Sequence, residues 1–420
     1  MLRRIATALV ALGLVTADEG AAAAADPPKR ALPDYDGRPD RDAPREGLGI
    51  WIPRVLLFPL RIVHDFGIRA PLRVAVLPFD RKAGDDPDPR DRFDVRPIVV
   101  LDLGFKPRFG AHVEAGTAAN LLHVRADTFG PTSFALGAAA LHAVARGAVS
   151  ASFDVVRRPD VIFHGFGPRS PDHRARVAVT RAKLALGSEV QPLPWLAVAT
   201  SFGVRGGRAS AFMDDYAVAV QRLEVVLDAR PLVRVGASRH GELRRGSGVR
   251  AQLDVEHAAG SAASAERIQW IGWGGVLAAF LGAGRGREVE LACTVRFVDP
   301  TGGRAPPFVE QVVLGGAAPL RGFLEGRLVG RSAIAAAATW RYPVWSFLDG
   351  FVLLEAGNAF DAHLRGLSAN LLRLSASVGM RSVVQSPWVV ELLIGGATDT
   401  IADGARPSSL RVLISASRAL

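Results

Sequence analysis

The segment 287–297 reads R-E-V-E-L-A-C-T-V-R-F, and apolar and polar residues alternate along it. The odd-numbered positions from Val289 onward are apolar, whereas the even-numbered positions from Glu288 onward are mostly polar. Successive side chains of a β-strand point to opposite faces, so this pattern predicts a strand with one apolar and one charged face. The same alternation recurs in 249–256 (V-R-A-Q-L-D-V-E) and in 372–381 (L-R-L-S-A-S-V-G-M-R).

The N-terminus and the composition indicate an exported membrane protein. M-L-R-R is followed by the apolar run 5–17 and by a run of alanines that ends at Ala25, which predicts a secretory signal peptide over 1–25. The alternative is a retained anchor, although the run is shorter than the roughly 20 apolar residues that cross a bilayer as a helix. Of the 420 residues, 49% are hydrophobic, and mean hydropathy is +0.19. An apolar exported chain with no later helical span is typical of an outer-membrane β-barrel.

The predicted fold class is therefore all-β, a transmembrane antiparallel barrel over 95–420. Alternating segments recur along this range and number about 16, and single-chain bacterial barrels have an even number of strands. The alternative is a secreted protein of two packed sheets, whose strands also alternate. Aromatic residues near strand ends are typical of the girdles where a barrel meets the membrane interfaces. The candidates for this role are Trp340, Tyr342, Trp345 and Trp388.

Residues 26–94 are predicted to form a linker. Within it, 49–63 (G-I-W-I-P-R-V-L-L-F-P-L-R-I-V) has the pattern of a short interfacial segment, and an ordinary buried element fits the pattern equally well. The net charge is +10, but the basic residues are scattered singly, so nucleic acid is not an expected partner. The sequence contains no nucleophile-elbow, P-loop, dinucleotide or H-E-x-x-H motif, and neither catalysis, a cofactor nor a metal is expected.

The segment 312–330 reads V-V-L-G-G-A-A-P-L-R-G-F-L-E-G-R-L-V-G, which is too broken for a helix and too apolar for a solvated loop. Its residues Leu320, Arg321, Gly322 and Phe323 resemble the signature of the BamA/TamA-like outer-membrane proteins, the bacterial surface-antigen superfamily. The segments that follow resemble that family's elements in the same order. They are the strands 335–345 and 350–360, the hairpin 371–397 and the closing strand 408–420. Farther upstream, 163–170 (F-H-G-F-G-P-R-S) resembles a glycine-aromatic motif of the same barrels.

The resemblance implies a loop that folds back into the barrel lumen before the last four strands, with its arginine paired to an inward acidic side chain. Alternation along 351–359 places Glu355 on the face opposite Val352 and Leu354, so Glu355 is the predicted partner of Arg321. The alternative is a surface loop with a solvated arginine. The family's periplasmic POTRA repeats are not recognised in 26–94.

Two functions are compatible with these observations. The resemblance implies a protein of the cell outer membrane that assists protein insertion, assembly or translocation there. Its implied partners are outer-membrane lipids including lipopolysaccharide, unfolded outer-membrane proteins and periplasmic factors. The alternative is a passive, loop-plugged pore, or a structural or lipid-handling barrel without assembly activity.

Overall fold

The computed structural model describes Val55, Phe58 and residues 92–418, apart from gaps at 118, 171–174, 211–214, 236–241, 283–286, 303, 318, 346–347 and 383–387. The predicted signal peptide and nearly all of the predicted linker and its interfacial segment lie outside these residues. In the described part of the chain, no helix is both long and apolar enough to cross a membrane.

Sixteen antiparallel strands form one closed barrel, and each pairs with its neighbours in chain order. This arrangement confirms the predicted fold class and strand number. The barrel strands are β1 (Arg92–Asp102), β2 (Arg108–Gly116), β3 (Asn120–Gly130), β4 (Ser133–Val144), β5 (Gly147–Phe163), β6 (Ala175–Leu193), β7 (Leu196–Ala209), β8 (Tyr216–Asp228), β11 (Gly248–Ala262), β12 (Arg267–Gly282), β13 (Glu288–Pro300), β16 (Ser332–Trp345), β17 (Leu348–Phe360), β18 (Arg373–Ser382), β19 (Trp388–Thr400) and β20 (Pro407–Arg418).

Four further strands lie in connections between barrel strands. β9 (Leu232–Val235) and β10 (Glu242–Arg245) form a hairpin between β8 and β11. β14 (Val312–Leu314) and β15 (Leu328–Gly330) pair with each other in the connection between β13 and β16. Short 3-10 helices span Phe308–Glu310, Ala362–Leu364, Ala369–Leu371 and Ile401–Asp403.

The charged side chains of β11 point into the barrel and its apolar side chains point outward. On β11, Leu253 and Val255 are 59% and 49% exposed on the outside, whereas Asp254 is buried inside. Asp254 accepts a hydrogen bond from Arg296 of β13 across the lumen wall. Apolar side chains are exposed outward and charged side chains are paired inward, which is the arrangement that lipid around a barrel requires.

Five barrel strands follow the long connection between β13 and β16, so the prediction of four strands after the loop was wrong by one. The segment 371–397 contains two strands, β18 and β19, joined by a turn. Counting this segment as one strand gives four, and counting its two strands separately gives the observed five.

Two of the four predicted girdle residues, Trp340 and Tyr342, have side chains within the described residues. Trp340 is 44% exposed on the outer face. Tyr342 is 6% exposed but lies on the same face of β16 as Trp340, so its interfacial role stays a prediction. Its ring lies over Gly350 on β17, where no side chain competes for the space, and it contacts Trp340 with ring centroids 4.7 Å apart. Trp345 and Trp388 belong to β16 and β19, but their side chains lie outside the described residues.

Candidate functional site at the inner face of the barrel seam

The segment 312–330, here called the lumen loop, lies inside the barrel. β14 and β15 form its stem, and the residues between them form a tip whose Leu320 and Phe323 are completely buried. They belong to one apolar cluster with lumen-facing side chains of the wall, among them Tyr216 and Trp270. Burial of this apolar surface explains why the segment is too apolar for a solvated loop. The alternative of a surface loop is therefore excluded.

The tip approaches the wall so closely that only glycine fits at its centre. A Cβ atom on Gly322 would lie 2.4 Å from the carbonyl oxygen of Gly396 on β19. Ser409 Oγ of β20 donates a hydrogen bond of 3.0 Å to the Gly322 carbonyl. Leu320 has a left-handed backbone with φ +69°, which is uncommon for a residue with a side chain. The contacts around the tip hold this strained conformation in place.

Glu355 of β17 holds the tip through backbone groups. Its two carboxylate oxygens accept hydrogen bonds from the backbone N–H of Leu320 at 2.7 Å and of Arg321 at 2.6 Å. Ser375 Oγ of β18 donates a further hydrogen bond of 2.9 Å to the same carboxylate and accepts one of 2.9 Å from the Gly322 N–H. The Glu355 side chain is 6% exposed, so nearly all of its hydration has been replaced by these donors.

The Arg321 side chain pairs with Glu391 of β19, at 2.5 Å between Nη2 and Oε1. The predicted ion pair between the Arg321 side chain and Glu355 was therefore wrong in its partner. The reason is that backbone donors and Ser375 occupy the Glu355 carboxylate, and the guanidinium extends past it to the next acidic side chain along the wall. Alternation correctly placed Glu355 in the lumen, but it does not distinguish backbone from side-chain donors.

Arg411 of β20 joins the tip to the barrel seam, which is the junction of β1 with β20. Its guanidinium forms an ion pair with Asp102 of β1, at 2.8 Å between Nη2 and Oδ2. The same guanidinium donates to the carbonyl oxygens of Gly316 at 2.7 Å and of Arg321 at 3.0 Å. Arg411 is 4% exposed. One buried cation therefore connects the first strand, the last strand and the lumen loop.

A second anchor lies at the base of the tip. Arg327, 4% exposed, donates to Ser170 Oγ at 2.7 Å, and Arg373 of β18 donates to the Ser170 carbonyl at 3.2 Å. The Gly167 N–H donates to the Val329 carbonyl at 2.9 Å. The segment 163–170, singled out for its glycine-aromatic motif, thus lies against the lumen loop rather than forming part of a barrel strand beyond Phe163.

A third anchor involves Glu310, next to the stem. The Tyr216 hydroxyl donates a hydrogen bond to its carboxylate. Arg181 and Arg205 form ion pairs with the same carboxylate at 3.3 and 3.2 Å. Since these partners belong to β6, β7 and β8, the loop bridges the first half of the barrel to the strands beside the seam.

Sequence reasoning missed most of the side chains that hold the loop. They are Asp102, Ser170, Glu310, Ser375, Glu391, Ser409 and Arg411. A signal was present for Glu391 and Arg411, because each is a charged residue flanked by apolar residues in one of the last two strands, in register with the lumen face. Ser375 is a polar position of the alternating segment 372–381 and Ser170 ends the segment 163–170, but neither pattern indicates a contact with the loop.

Comparison with known proteins supports the fold. No protein-family model matches the chain, and no curated protein is significantly similar to it. The structure resembles BamA from Haemophilus ducreyi lacking POTRA domains 1–3, with a TM-score of 0.55 and 11% identity over 78% of this chain and 70% of that chain.

Two further outer-membrane barrels are less similar. CdiB from Acinetobacter baumannii has a TM-score of 0.49 and 10% identity over 77% of this chain and 60% of that chain. The outer membrane channel DcaP of the same organism has a TM-score of 0.39 and 11% identity over 80% of this chain and 99% of that chain. Likeness at this level does not separate one class of barrel from another. The protein has the barrel fold of BamA, which confirms at the level of the fold the resemblance to the BamA/TamA-like outer-membrane proteins.

Proposed function

We propose that the protein assists the insertion and assembly of other proteins in the outer membrane, with the seam between β1 and β20 as the working edge. The observation that carries this proposal is the shortness of the seam. β1 pairs with β20 only over Val99–Asp102, whereas it pairs with β2 over Arg92–Val100. Within the described residues, no strand pairs with 92–98 on the side of β1 that faces the seam.

An unpaired stretch of strand is a template for another strand. Its free N–H and C=O groups can pair with an extended segment of a second chain, as in β-augmentation. Pro97 has no backbone N–H, so β1 has one hydrogen-bond donor fewer. This weakens permanent pairing of β1 with a neighbouring strand. Partners in this proposal are unfolded outer-membrane proteins, periplasmic factors and the surrounding lipids, including lipopolysaccharide.

The lumen loop gives the seam a device for closing. Separation of β1 from β20 has to break the Arg411–Asp102 ion pair, while Arg411 stays bound to the carbonyl oxygens of the loop tip. The loop therefore holds Arg411 in position to close the seam again when β1 returns. This account assigns no catalytic reaction to the protein.

A passive, loop-plugged pore is the second candidate. A lumen cavity of about 1230 Å³ lies beside the loop and favours this candidate. Many charged side chains line the wall of the cavity. A pore of this kind would conduct only if the loop moved, and its seam would have no role.

Proteomics of outer membranes from cells that lack the protein tests the proposal. We expect a selective loss of other β-barrel proteins, with restoration by the wild-type gene. Quantification of lipopolysaccharide and of inner-membrane proteins in the same cells controls for general envelope damage. An unchanged set of barrel proteins would contradict the assembly function and leave the pore or a lipid-handling barrel.

A further inference from the structure

Two histidines and a glutamate meet on the lumen wall beside the seam. His112 and Glu114 lie on β2, and His123 lies on β3 directly opposite Glu114 in the strand register. Because alternate residues of a strand share a face, positions 112 and 114 point to the same side, and the opposing position 123 joins them. The candidate ligand atoms of the three side chains all lie within 4.8 Å of one another.

The cluster is buried and compact. His112 and His123 are 6% and 4% exposed, and their rings stack with centroids 5.5 Å apart. His123 Nδ1 lies 3.4 Å from a Glu114 carboxylate oxygen. An ion pair between His123 and Glu114 involves only one imidazole. The imidazole of His112 also lies close enough to share a metal ion with these two residues.

Two imidazoles and one carboxylate are a donor set that Zn²⁺ and similar divalent transition-metal ions prefer. Ligand atoms around a tetrahedral zinc ion lie about 3.4 Å apart, because each is about 2.0–2.2 Å from the metal. Side-chain rotation would have to bring the three ligand atoms, now within 4.8 Å of one another, closer together to reach this geometry. Both histidines line the lumen cavity, so water can reach an open coordination position.

Arginines next to the cluster are paired with carboxylates. Arg96 of β1, directly opposite His112 in the strand register, forms an ion pair with Asp94 of the same strand. Arg125 is the next lumen-facing residue after His123 on β3, and an unpaired guanidinium there would repel a metal ion. Its charge is offset by ion pairs with Asp127 at 3.7 Å and Asp154 at 2.8 Å.

We propose that His112, Glu114 and His123 form a binding site for a divalent transition-metal ion, with Zn²⁺ as the representative, and that water completes the coordination. The sequence alone does not predict this metal site, because the ligands follow no familiar motif. The H-x-E segment of β2, from His112 to Glu114, gains a third ligand only because strand pairing places His123 opposite Glu114. A metal would join β2 to β3, next to the first strand of the seam, and this inference does not depend on the assembly function.

The test is titration of the purified full-length barrel in detergent with Zn²⁺ alone, after chelator treatment and in a Cys293→Ser background. Competition with a chromophoric chelator is expected to show one equivalent bound. That equivalent should be lost in His112→Ala and in His123→Ala. His142→Ala is the matched control, because His142 lies on the neighbouring β4, where it interacts with Asn120 outside the cluster. It should bind as the parent does.

Resistance of the folded barrel to denaturation in gel electrophoresis shows whether each variant is folded. The absorption spectrum of Co²⁺ bound to the parent protein gives a readout that needs no variant, and it should show nitrogen and oxygen ligands in a low-symmetry field. Absence of binding to the parent would overturn the proposal. So would retention of the metal by folded His112→Ala and His123→Ala proteins, or a Co²⁺ spectrum of a fully hydrated ion.

Discussion

Replacement of Glu355 by alanine is expected to release the lumen loop from the wall and to destabilise the barrel by at least about 3 kcal/mol, since three buried donors lose their acceptor. The carboxylate accepts from the backbone N–H of Leu320 and Arg321 and from the Ser375 hydroxyl. Each buried donor that loses its acceptor costs about 1–3 kcal/mol. The left-handed backbone at Leu320 would also lose the contact that holds it.

Urea unfolding of the refolded barrel measures this loss, and trypsin cleavage after Arg321 or Arg327 reports release of the loop independently. Glu290→Ala is the matched control, because Glu290 lines the lumen on β13 away from the loop tip. It should leave both readouts close to wild type. Equal stability of Glu355→Ala and wild type, with the loop still protected, would show that the loop is held by other contacts.

Replacement of Arg411 by alanine is expected to loosen the seam and the loop tip together. The change removes the ion pair with Asp102 and leaves the carbonyl oxygens of Gly316 and Arg321 without their guanidinium donor. Loss of one member of a buried pair also leaves the other charge uncompensated, which costs about 3–5 kcal/mol. The expected result is faster hydrogen exchange at 99–102, and at 413–416 opposite it, than in the wild type.

A double-mutant cycle separates the seam contact from the loop contacts. Asp102→Ala should accelerate exchange at the seam but leave the tip protected from trypsin, whereas Arg411→Ala should affect both. The coupling between the two positions is expected to be about 1–3 kcal/mol in urea unfolding. Arg250→Ala, which removes a lumen-facing arginine of β11, is the control. Additive effects of Asp102→Ala and Arg411→Ala would contradict a direct link across the seam.

The barrel could be predicted from the sequence because lipid outside and water inside impose opposite requirements on alternate residues. Val249, Leu253 and Val255 face outward with exposures of 47%, 59% and 49%, as their positions in the alternating segment 249–256 indicate. The same rule placed Glu355 in the lumen. This rule relates residues that are two positions apart, so it can be applied to a single sequence.

The details of the site depend on pairing between distant strands, which alternation does not specify. Arg321 pairs with Glu391 instead of Glu355 because backbone donors already occupy the nearer carboxylate. Arg411 and Asp102 meet only because the barrel closes, although they lie near opposite ends of the described chain. Tyr342 is buried over Gly350 for a similar reason, since strand register decides which residue lies opposite.

If opening of the seam performs the function, a reversible covalent lock across the seam should abolish that function. Val100 and Ser415 lie directly opposite each other across the seam, so cysteines at both positions are within disulfide range in a Cys293→Ser background. Cysteines at Gln252 and Val276, opposite each other on β11 and β12, form the control lock, because this junction is paired continuously over 248–261.

The measurement is the rate at which newly made β-barrel proteins fold into the outer membrane of cells that carry each pair, before and after addition of a reductant. We predict that the seam lock blocks folding and that reduction restores it, while the control lock has no effect. Normal folding with a fully oxidised seam lock would contradict the account.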